Sequence, residues 1–344
     1  MKLLEVKDLR TYFKTTKGYV KAVDGVTFSL DHGECLGLVG ESGCGKTTTA
    51  LSITRLLPKG GEVMGGKIFL EGVDYATLTE KEIEDHRWED VSIIFQGAMN
   101  AFNPVKKVGW QIAEAIIRHK GVNKQEAWKR AGELFELVGI PAERVTQYPH
   151  EFSGGMKQRA MIAMALACDP KLIIGDEPTT ALDVMIQAQI LELLEELRKK
   201  LNMGMILITH DLSILGETCD KIAVMYAGKI VELGTAEDVF YDAAHPYTWA
   251  LLSSMPDLDT NERLEAIPGT PPNMIYPPVG DAFAERNKYA MEIDYEMQPP
   301  MYEVSPTHFA ATWLLHPNAP KVEIPKIITE RIRRMKERGG NIGE

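Results

Sequence analysis

The chain is poor in cysteine, has no long hydrophobic run and carries no excess of positive charge. Its four cysteines, Cys35, Cys44, Cys168 and Cys219, are scattered through 344 residues without a Cys-x-x-Cys pair. That spacing argues against a disulfide frame or a zinc site and for free thiols in a reducing compartment. No apolar run approaches the roughly 18–20 residues a bilayer-spanning helix needs. The opening Met1-Lys2-Leu3-Leu4-Glu5 becomes charged too soon for a secretory signal. The expectation is a cytoplasmic protein, with any membrane spans it works beside supplied by other subunits. A formal net charge of −11 disfavours nucleic acid as a partner. There is no internal repeat and no low-complexity tract. Length suits about two domains, and 44% hydrophobic with 25% charged residues suits a globular chain.

What is present is an ordered series of motifs. Gly40-Glu41-Ser42-Gly43-Cys44-Gly45-Lys46-Thr47 fits a phosphate loop. The short apolar run Cys35-Leu36-Gly37-Leu38-Val39 precedes it and reads as a buried parallel strand. Residues 47–57 follow as a helix stopped by Pro58. Strand, glycine loop and helix in that order are the context a true phosphate loop requires. A triphosphate needs many donors: Gly40, Gly43 and Gly45 let backbone N–H groups turn inward, and the helix N-terminus adds its dipole. Lys46 reaches the β- and γ-phosphates, and the Thr47 hydroxyl can ligate Mg²⁺.

Further along, Val91-Ser92-Ile93-Ile94-Phe95 reads as a strand ending at Gln96, and Leu172-Ile173-Ile174 as one running into Asp176-Glu177. A carboxylate closing a buried strand is costly unless it serves a charge, such as a Mg²⁺-bound water network. Glu177 is placed to polarise an attacking water. Met205-Ile206-Leu207-Ile208 is a further strand, followed by His210. Read alone, Gln96 and His210 are equally well ordinary polar residues at strand ends. Ser153-Gly154-Gly155 opens a helix over 156–167, where it is either a plain N-cap or an anion site.

Between Gln96 and that helix the pattern is helical: Val108, Ile112 and Ile116 share a face, and Asn123 caps a helix carrying Ala127, Ala131, Leu134 and Val138 with Gly139 at its end. This reads as a helical subdomain inserted at about 97–164. Residues 20–30 read as strand and 187–201 as a long amphipathic helix. The runs 222–225 and 229–232 flank Tyr226-Ala227-Gly228 as a hairpin. After Tyr241 prolines concentrate and periodicity fades, giving a separate loop-rich appendage over 241–344. It ends in a helix with Ile324, Ile327, Ile328, Ile332 and Met335 on one face and Pro325 in its first turn.

Together the phosphate loop, Gln96, Phe152-Ser153-Gly154-Gly155-Met156, Asp176-Glu177, Ala181-Leu182-Asp183 and His210 resemble the ABC-transporter ATPases over about residues 1–240. Asn103-Pro104, Tyr148-Pro149-His150-Glu151, His245-Pro246-Tyr247-Thr248 and Ile267-Pro268-Gly269-Thr270-Pro271-Pro272 look like the oligopeptide/dipeptide importer branch and extend the match over nearly the whole chain. The resemblance implies an α/β fold, a RecA-like phosphate-loop core with the inserted helical subdomain and an irregular C-terminal extension. It implies ATP and Mg²⁺ as cofactors. Phe13, or Tyr12 beside it, would stack on adenine. Glu41, Ser42 and Cys44 would line the loop, and Lys46, Thr47 and Thr48 would hold phosphate and Mg²⁺. Asp176 and Gln96 would join Thr47 at the metal, Glu177 would be the general base, and His210 would contact the γ-phosphate. Ser153, Gly154 and Gly155 would cover a nucleotide bound by the opposite cassette, with Asp183 at the dimer seam. The implied partners are two transmembrane permease subunits, a second ABC ATPase (a homologous partner or a second copy) and an extracytoplasmic solute-binding protein. The place implied is the cytoplasmic face of the membrane, and the cargo oligopeptides or dipeptides, with oligosaccharides as the alternative.

Two departures stand out. Met156 replaces the glutamine common in the wider signature. Many relatives carry four tail cysteines thought to hold an iron–sulfur cluster; here Asp281, Asn287, Asp294 and Thr312 occupy those places, so no such cluster is expected. Two other readings compete. A soluble ABC ATPase of repair or translation would bring long coiled-coil inserts, paired cassettes or zinc cysteines. A GTPase would bring Asn-Lys-x-Asp, whereas Asn123-Lys124-Gln125-Glu126 lacks the aspartate and falls on a helix. Cys44 is expected to lie exposed in the loop, reactive toward thiol reagents and protected by ATP.

Overall fold

The structure is a computed structural model that describes residues 2–97, 101–254, 266–326, 328–330 and 333. Strands β1 (Leu4–Thr15) and β2 (Gly18–Leu30) form a long antiparallel hairpin. β3 (Cys35–Val39) leads through the glycine loop into α1 (Lys46–Ile53). That helix ends at Ile53, short of the expected Leu57: Thr54 is its cap, and Arg55 turns left-handed at φ 54° while its guanidinium donates to the Tyr75 carbonyl. β4 (Gly61–Leu70) pairs with β1 and carries the short β5 (Val73–Asp74), completing a four-stranded antiparallel sheet in the order β2-β1-β4-β5. α2 (Glu80–His86) starts in a capping box, with Thr79 and Glu82 satisfying each other's backbone N–H groups.

The second sheet holds the chemistry. β6 (Val91–Ile94) lies at one edge. The insert follows as α3 (Val108–Lys120), α4 (Lys124–Leu137) and α5 (Gly154–Ala165). Val108, Ile112 and Ile116 are buried on one face of α3, as their spacing predicts. Asn123 caps α4 by accepting the Glu126 N–H at 3.0 Å, and Gly139 ends the turn beyond it at φ 75°. Then come β7 (Leu172–Asp176), α6 (Val184–Leu201), β8 (Gly204–Ile208), α7 (Leu212–Thr218), and the hairpin β9 (Lys221–Tyr226) and β10 (Lys229–Thr235). Ala227 and Gly228, both at positive φ, make the hairpin turn.

With β11 (Tyr302–Ser305) and β12 (His308–Ala310) added at the far edge, the order is β11-β12-β10-β9-β3-β8-β7-β6, and β9, β3, β8, β7 and β6 run parallel. Alternate residues feed two cores. Cys35, Val39, Met205, Leu207, Ile222 and Val224 face the insert side. Leu36, Leu38, Ile206, Ile208, Ala223 and Met225 face the antiparallel sheet and α1. All four cysteines are buried, and Cys35 and Cys219, far apart in sequence, bring their sulfurs within 3.2 Å.

The region after Tyr241, read from the sequence as a separate appendage, contributes two strands to this sheet. α8 (Ala236–Tyr241) and α9 (Pro246–Ser253) lead into it. β12 (His308–Ala310) pairs antiparallel with β10, and β11 (Tyr302–Ser305) pairs with β12. The four positions where relatives are thought to hold cysteine each accept a local backbone N–H: Asp281 from Phe283, Asn287 from Tyr289, Asp294 from Met291 and Thr312 from Leu314. Turn capping therefore orders this segment alongside packing. Burial pushes the Asp281 carboxyl up to about 6. Residues 326, 328–330 and 333 are helical, with Ile328 fully buried; Ile327, Ile332 and Met335 lie outside the described residues.

A buried ion pair fastens the extension to β10. Glu232 is fully buried, accepts the Ala244 and His245 N–H groups, and lies 2.7 Å from His308 Nε2. Burial pulls the His308 imidazole down, but the Glu232 hydrogen bond and charge outweigh it and the net shift is upward. A pKa raised on folding means stability fully present below the unfolded value of about 6.5 and lost as pH climbs through the folded value. His308→Gln is predicted to cost about 2–4 kcal/mol at pH 6, and the gap from the unaltered protein should narrow as pH rises. Urea unfolding of both at pH 6 and pH 9 checks this, and a gap independent of pH contradicts it.

Candidate functional site

Parallel pairing brings the carboxyl ends of β3, β6, β7 and β8 to one edge of the sheet, the place where open α/β sheets bind ligands. The phosphate loop leaves β3, Gln96 lies two residues beyond β6, Asp176 ends β7, and His210 lies two residues beyond β8. The register sets Asp176 opposite Ile208 and Leu38 opposite Ile208, so these ends are level.

Two loop glycines are fixed by close approach. A Cβ on Gly40 (φ 150°) would sit 2.1 Å from the Met225 carbonyl oxygen, and one on Gly45 (φ 109°) 2.3 Å from that of Ala22. The loop is thereby wedged between β9 and β2. Gly45 is the N-cap of α1 and offers no side-chain acceptor, so the first-turn N–H groups of α1 are open to an anion. Lys46 is buried and folds back on its loop, donating to the Gly40 carbonyl at 2.7 Å and the Glu41 carbonyl at 3.2 Å. Ser42 and Thr48 sit on the same loop and helix start, and Thr48 accepts the Ser52 hydroxyl through its carbonyl.

The Thr47 hydroxyl donates to Asp176 Oδ1 at 3.2 Å. Asp176 is 3% exposed, and burial raises its pKa against the pull of that hydrogen bond. A nearby cation would favour its ionised form. The Thr47 hydroxyl and the Asp176 carboxylate lie together, and with the Gln96 amide oxygen at the neighbouring strand end they offer oxygen donors, the type Mg²⁺ takes. Glu177 is held from three sides: Oε2 accepts from Gln96 Nε2 at 2.7 Å and Thr180 Oγ1 at 2.9 Å, and Oε1 lies 3.5 Å from His210 Nδ1. Its backbone is left-handed at φ 48°, with its N–H on the Ile208 carbonyl. That strained conformation turns the carboxylate toward Gln96 and His210. Thr180 was not singled out in the sequence; the signal was a hydroxyl three residues after Glu177.

Other predicted residues lie around this centre. Thr11 bonds Ser52 of α1 at 2.7 Å, so alternation puts Phe13 on the α1 face and Tyr12 on the other. The Phe13 ring rests on Gly61. The Tyr12 hydroxyl donates to Asp24 at 2.6 Å, and burial with that bond pushes it up to about 12. Ser153 is exposed and caps α5 by accepting the Met156 N–H, with Gly154 and Gly155 in the first turn and Gly155 against Ile186. Asp183 is exposed and caps α6. Val184 and Met185 beside it are 83% and 74% exposed. No hydrogen bond joins Ser153, Gly154, Gly155 or Asp183 to the phosphate loop among the described residues. Glu41 points out of the loop, into an ion pair with Arg286 of the extension.

Comparison with known proteins bears on this geometry. Residues 23–180 match the ABC transporter family model, and residues 231–293 match the model for the C-terminal region of oligopeptide/dipeptide transporters. The chain is 55% identical over 339 residues to the oligopeptide transport ATP-binding protein OppD of Bacillus subtilis, covering 97% of this chain and 95% of that one. It is 50% identical over 344 residues to the dipeptide transport ATP-binding protein DppD of Lactococcus lactis, covering 99% of each. Among solved structures, cbiO1 of Clostridium perfringens, part of an ABC transporter complex, aligns at 27% identity with TM-score 0.60, over 70% of this chain and 90% of that one. The dimeric ATP-binding cassette MJ0796 aligns at 24% identity with TM-score 0.61, over 68% and 98%, which speaks to the fold alone.

The expectation of an exposed Cys44 thiol needs correction. Cys44 is 4% exposed, its sulfur packs under Gly40, and burial pushes the thiol pKa up. Only its backbone remains available to a phosphate. Iodoacetamide is predicted to label Cys44 about 10-fold or more slowly in the native protein than in urea, with ATP making little further difference. Rapid native labelling that ATP suppresses would contradict the burial.

Proposed function

The chain belongs to the ABC transporter ATPases of the oligopeptide/dipeptide type, and from that premise we propose that it powers peptide uptake as a peripheral subunit at the cytoplasmic face of the membrane. The chain is an ATPase. Its reading as the motor of an importer rests on the relatives' names and on the convergence at one sheet edge of loop, acid pair, glutamine and histidine. The observation that carries the chemistry is Glu177, oriented by Gln96 and Thr180 with His210 alongside.

In this reading Phe13 stacks on the adenine. The loop N–H groups from Gly40 to Thr48 and the ammonium of Lys46 hold the β- and γ-phosphates. Lys46 exchanges the Gly40 and Glu41 carbonyls for phosphate oxygens. Thr47, Asp176 and Gln96 would hold Mg²⁺, which supplies charge neutralisation at the phosphates. Glu177 orients and deprotonates the attacking water, and His210 bonds the γ-phosphate. His210 is 73% exposed at its side chain and free to swing toward that position.

The exposed signature Ser153-Gly154-Gly155 and Asp183 make no bond to this chain's own loop, which fits their completing the site of a second cassette. Val184 and Met185 would be covered in that dimer. Phe95 and Val105, 41% and 79% exposed on the segment entering the insert, suit contact with a membrane subunit, so that movement of Gln96 at the nucleotide is felt there. No described helix is long and apolar enough to cross a membrane, and two permease subunits would supply the spans. An extracytoplasmic binding protein would select the peptide.

Glu177→Gln keeps the hydrogen bonds from Gln96 and Thr180 but removes the base. Its kcat for ATP is predicted to fall about 10²–10⁴-fold with ATP affinity within about threefold of the unaltered protein. Steady-state turnover with equilibrium ATP titration checks this. Unreduced turnover would remove Glu177 from the role of base.

A further inference from the structure

We propose that Arg286 and Tyr247, both contributed by the C-terminal extension, are positioning residues that clamp the phosphate loop through Glu41 and set its affinity for ATP. The inference rests on the ATP-site reading above and adds to it a function for the extension.

Glu41 is the second residue of the loop, and the groups around it bind all its polar atoms. Its carboxylate receives a two-pronged ion pair from Arg286, Nη1 to Oε2 at 2.6 Å and Nη2 to Oε1 at 2.9 Å. Its N–H donates to the Tyr247 hydroxyl at 2.9 Å. Its carbonyl accepts from Lys46 Nζ at 3.2 Å. One residue thus stands between the extension and the lysine that must reach the phosphates.

The clamp is itself rigid. Arg286 has a side chain 5% exposed. Its Nε donates to the Pro268 carbonyl at 2.7 Å and Nη1 also to the Tyr226 hydroxyl at 3.0 Å, with the guanidinium against the Tyr226 and Phe283 rings. Tyr247 is fully buried, its ring centroid 4.6 Å from that of Tyr226 and 5.2 Å from that of Phe283. It is planted there by the start of α9, where neutral His245 accepts the Tyr247 N–H and Pro246 opens the helix. Two sequence stretches with no chemistry of their own meet at Glu41, His245-Pro246-Tyr247 and the segment ending in Arg286, and Ile267-Pro268-Gly269 backs the guanidinium through the Pro268 carbonyl.

Packing alone does not call for such a pair. Apolar side chains of similar volume would fill the space without the desolvation cost of two charges. What the pair adds is direction, because a forked guanidinium fixes a carboxylate in distance and in plane. With Glu41 held, the loop backbone keeps the curvature that aims its N–H groups inward. Without the clamp, part of the ATP-binding energy must go into ordering the loop, and affinity falls.

The test uses the full-length chain carrying Glu177→Gln, so that bound ATP persists, titrated with ATP and Mg²⁺. Glu41→Gln, Arg286→Lys and Tyr247→Phe each keep size and fold while loosening one link, and each is expected to raise the ATP Kd by about 3–10-fold. The double variant Glu41→Gln/Arg286→Lys should be little worse than the worse single one, because the two share one interaction. With Glu177 restored, Arg286→Lys and Tyr247→Phe should each raise KM for ATP while kcat at saturating ATP changes by less than about twofold. Thermal midpoints are measured in parallel. Loss of thermal stability with an unchanged Kd would mean a structural tie only and overturn the clamp. Strictly additive Kd effects would also overturn it. A parent protein that binds no ATP would overturn the site reading, and the clamp with it.

Discussion

The parallel register of β3, β8, β7 and β6 is the constraint on which the site depends. Each strand is short, five residues or fewer, and buried on both faces. Alternate side chains are sunk into two different cores, so a slip of one residue would exchange those sets and misplace Asp176 relative to the loop. Each Leu or Ile so buried contributes about 1.5–3 kcal/mol, which makes the level arrangement of the four strand ends far steadier than loops alone would be. The phosphate loop is pinned to that edge at two glycines by close backbone approach, with Gly40 against Met225 and Gly45 against Ala22.

On that rigid edge the polar groups are hydrogen-bonded to one another and to the loop backbone. Lys46 rests on two carbonyls of its own loop, Thr47 on Asp176, and Glu177 on Gln96 and Thr180. In the proposed reading a triphosphate and a divalent cation would take over the partners of Lys46 and Thr47, while Gln96 and Thr180 go on orienting Glu177. Nucleotide binding would then trade these bonds for others, and a cation beside the buried Asp176 would favour its ionised form. Coupling to a second cassette fits the same logic, because the signature helix and Asp183 present capped, exposed ends that are not consumed within one chain.

The parts of this arrangement that were legible in the sequence are local ones. The loop, the apolar runs that end in Gln96, Asp176 and His210, and the helical faces of α3 and α4 all declare themselves within about a dozen residues. β1 and β4 were harder to see, because they are half-exposed and β1 is broken by bulges between Val6 and Arg10, so its alternation does not persist. Glu177 could be picked out by position, but its left-handed backbone and the support from Thr180 belong to the folded chain. Pairs distant in sequence were invisible: Arg286 with Glu41, His308 with Glu232, Cys35 with Cys219. The Cys44 thiol was misjudged because a residue inside an exposed loop can still turn its side chain into the core.

Strand pairing to β10, the Glu232–His308 pair and the contacts on Glu41 are among the ties between the extension and the ATPase core. The central claim, a motor subunit for peptide import, is tested most directly by recovering the assembly it drives. Tagged Glu177→Gln protein would be purified from host membranes with ATP and Mg²⁺ present, and the accompanying chains identified by mass spectrometry. The account predicts two multi-span membrane subunits, an ABC ATPase partner and an extracytoplasmic binding protein that takes up peptides. Recovery of soluble or nucleic-acid-associated partners alone would leave the ATP chemistry standing and contradict the transport function.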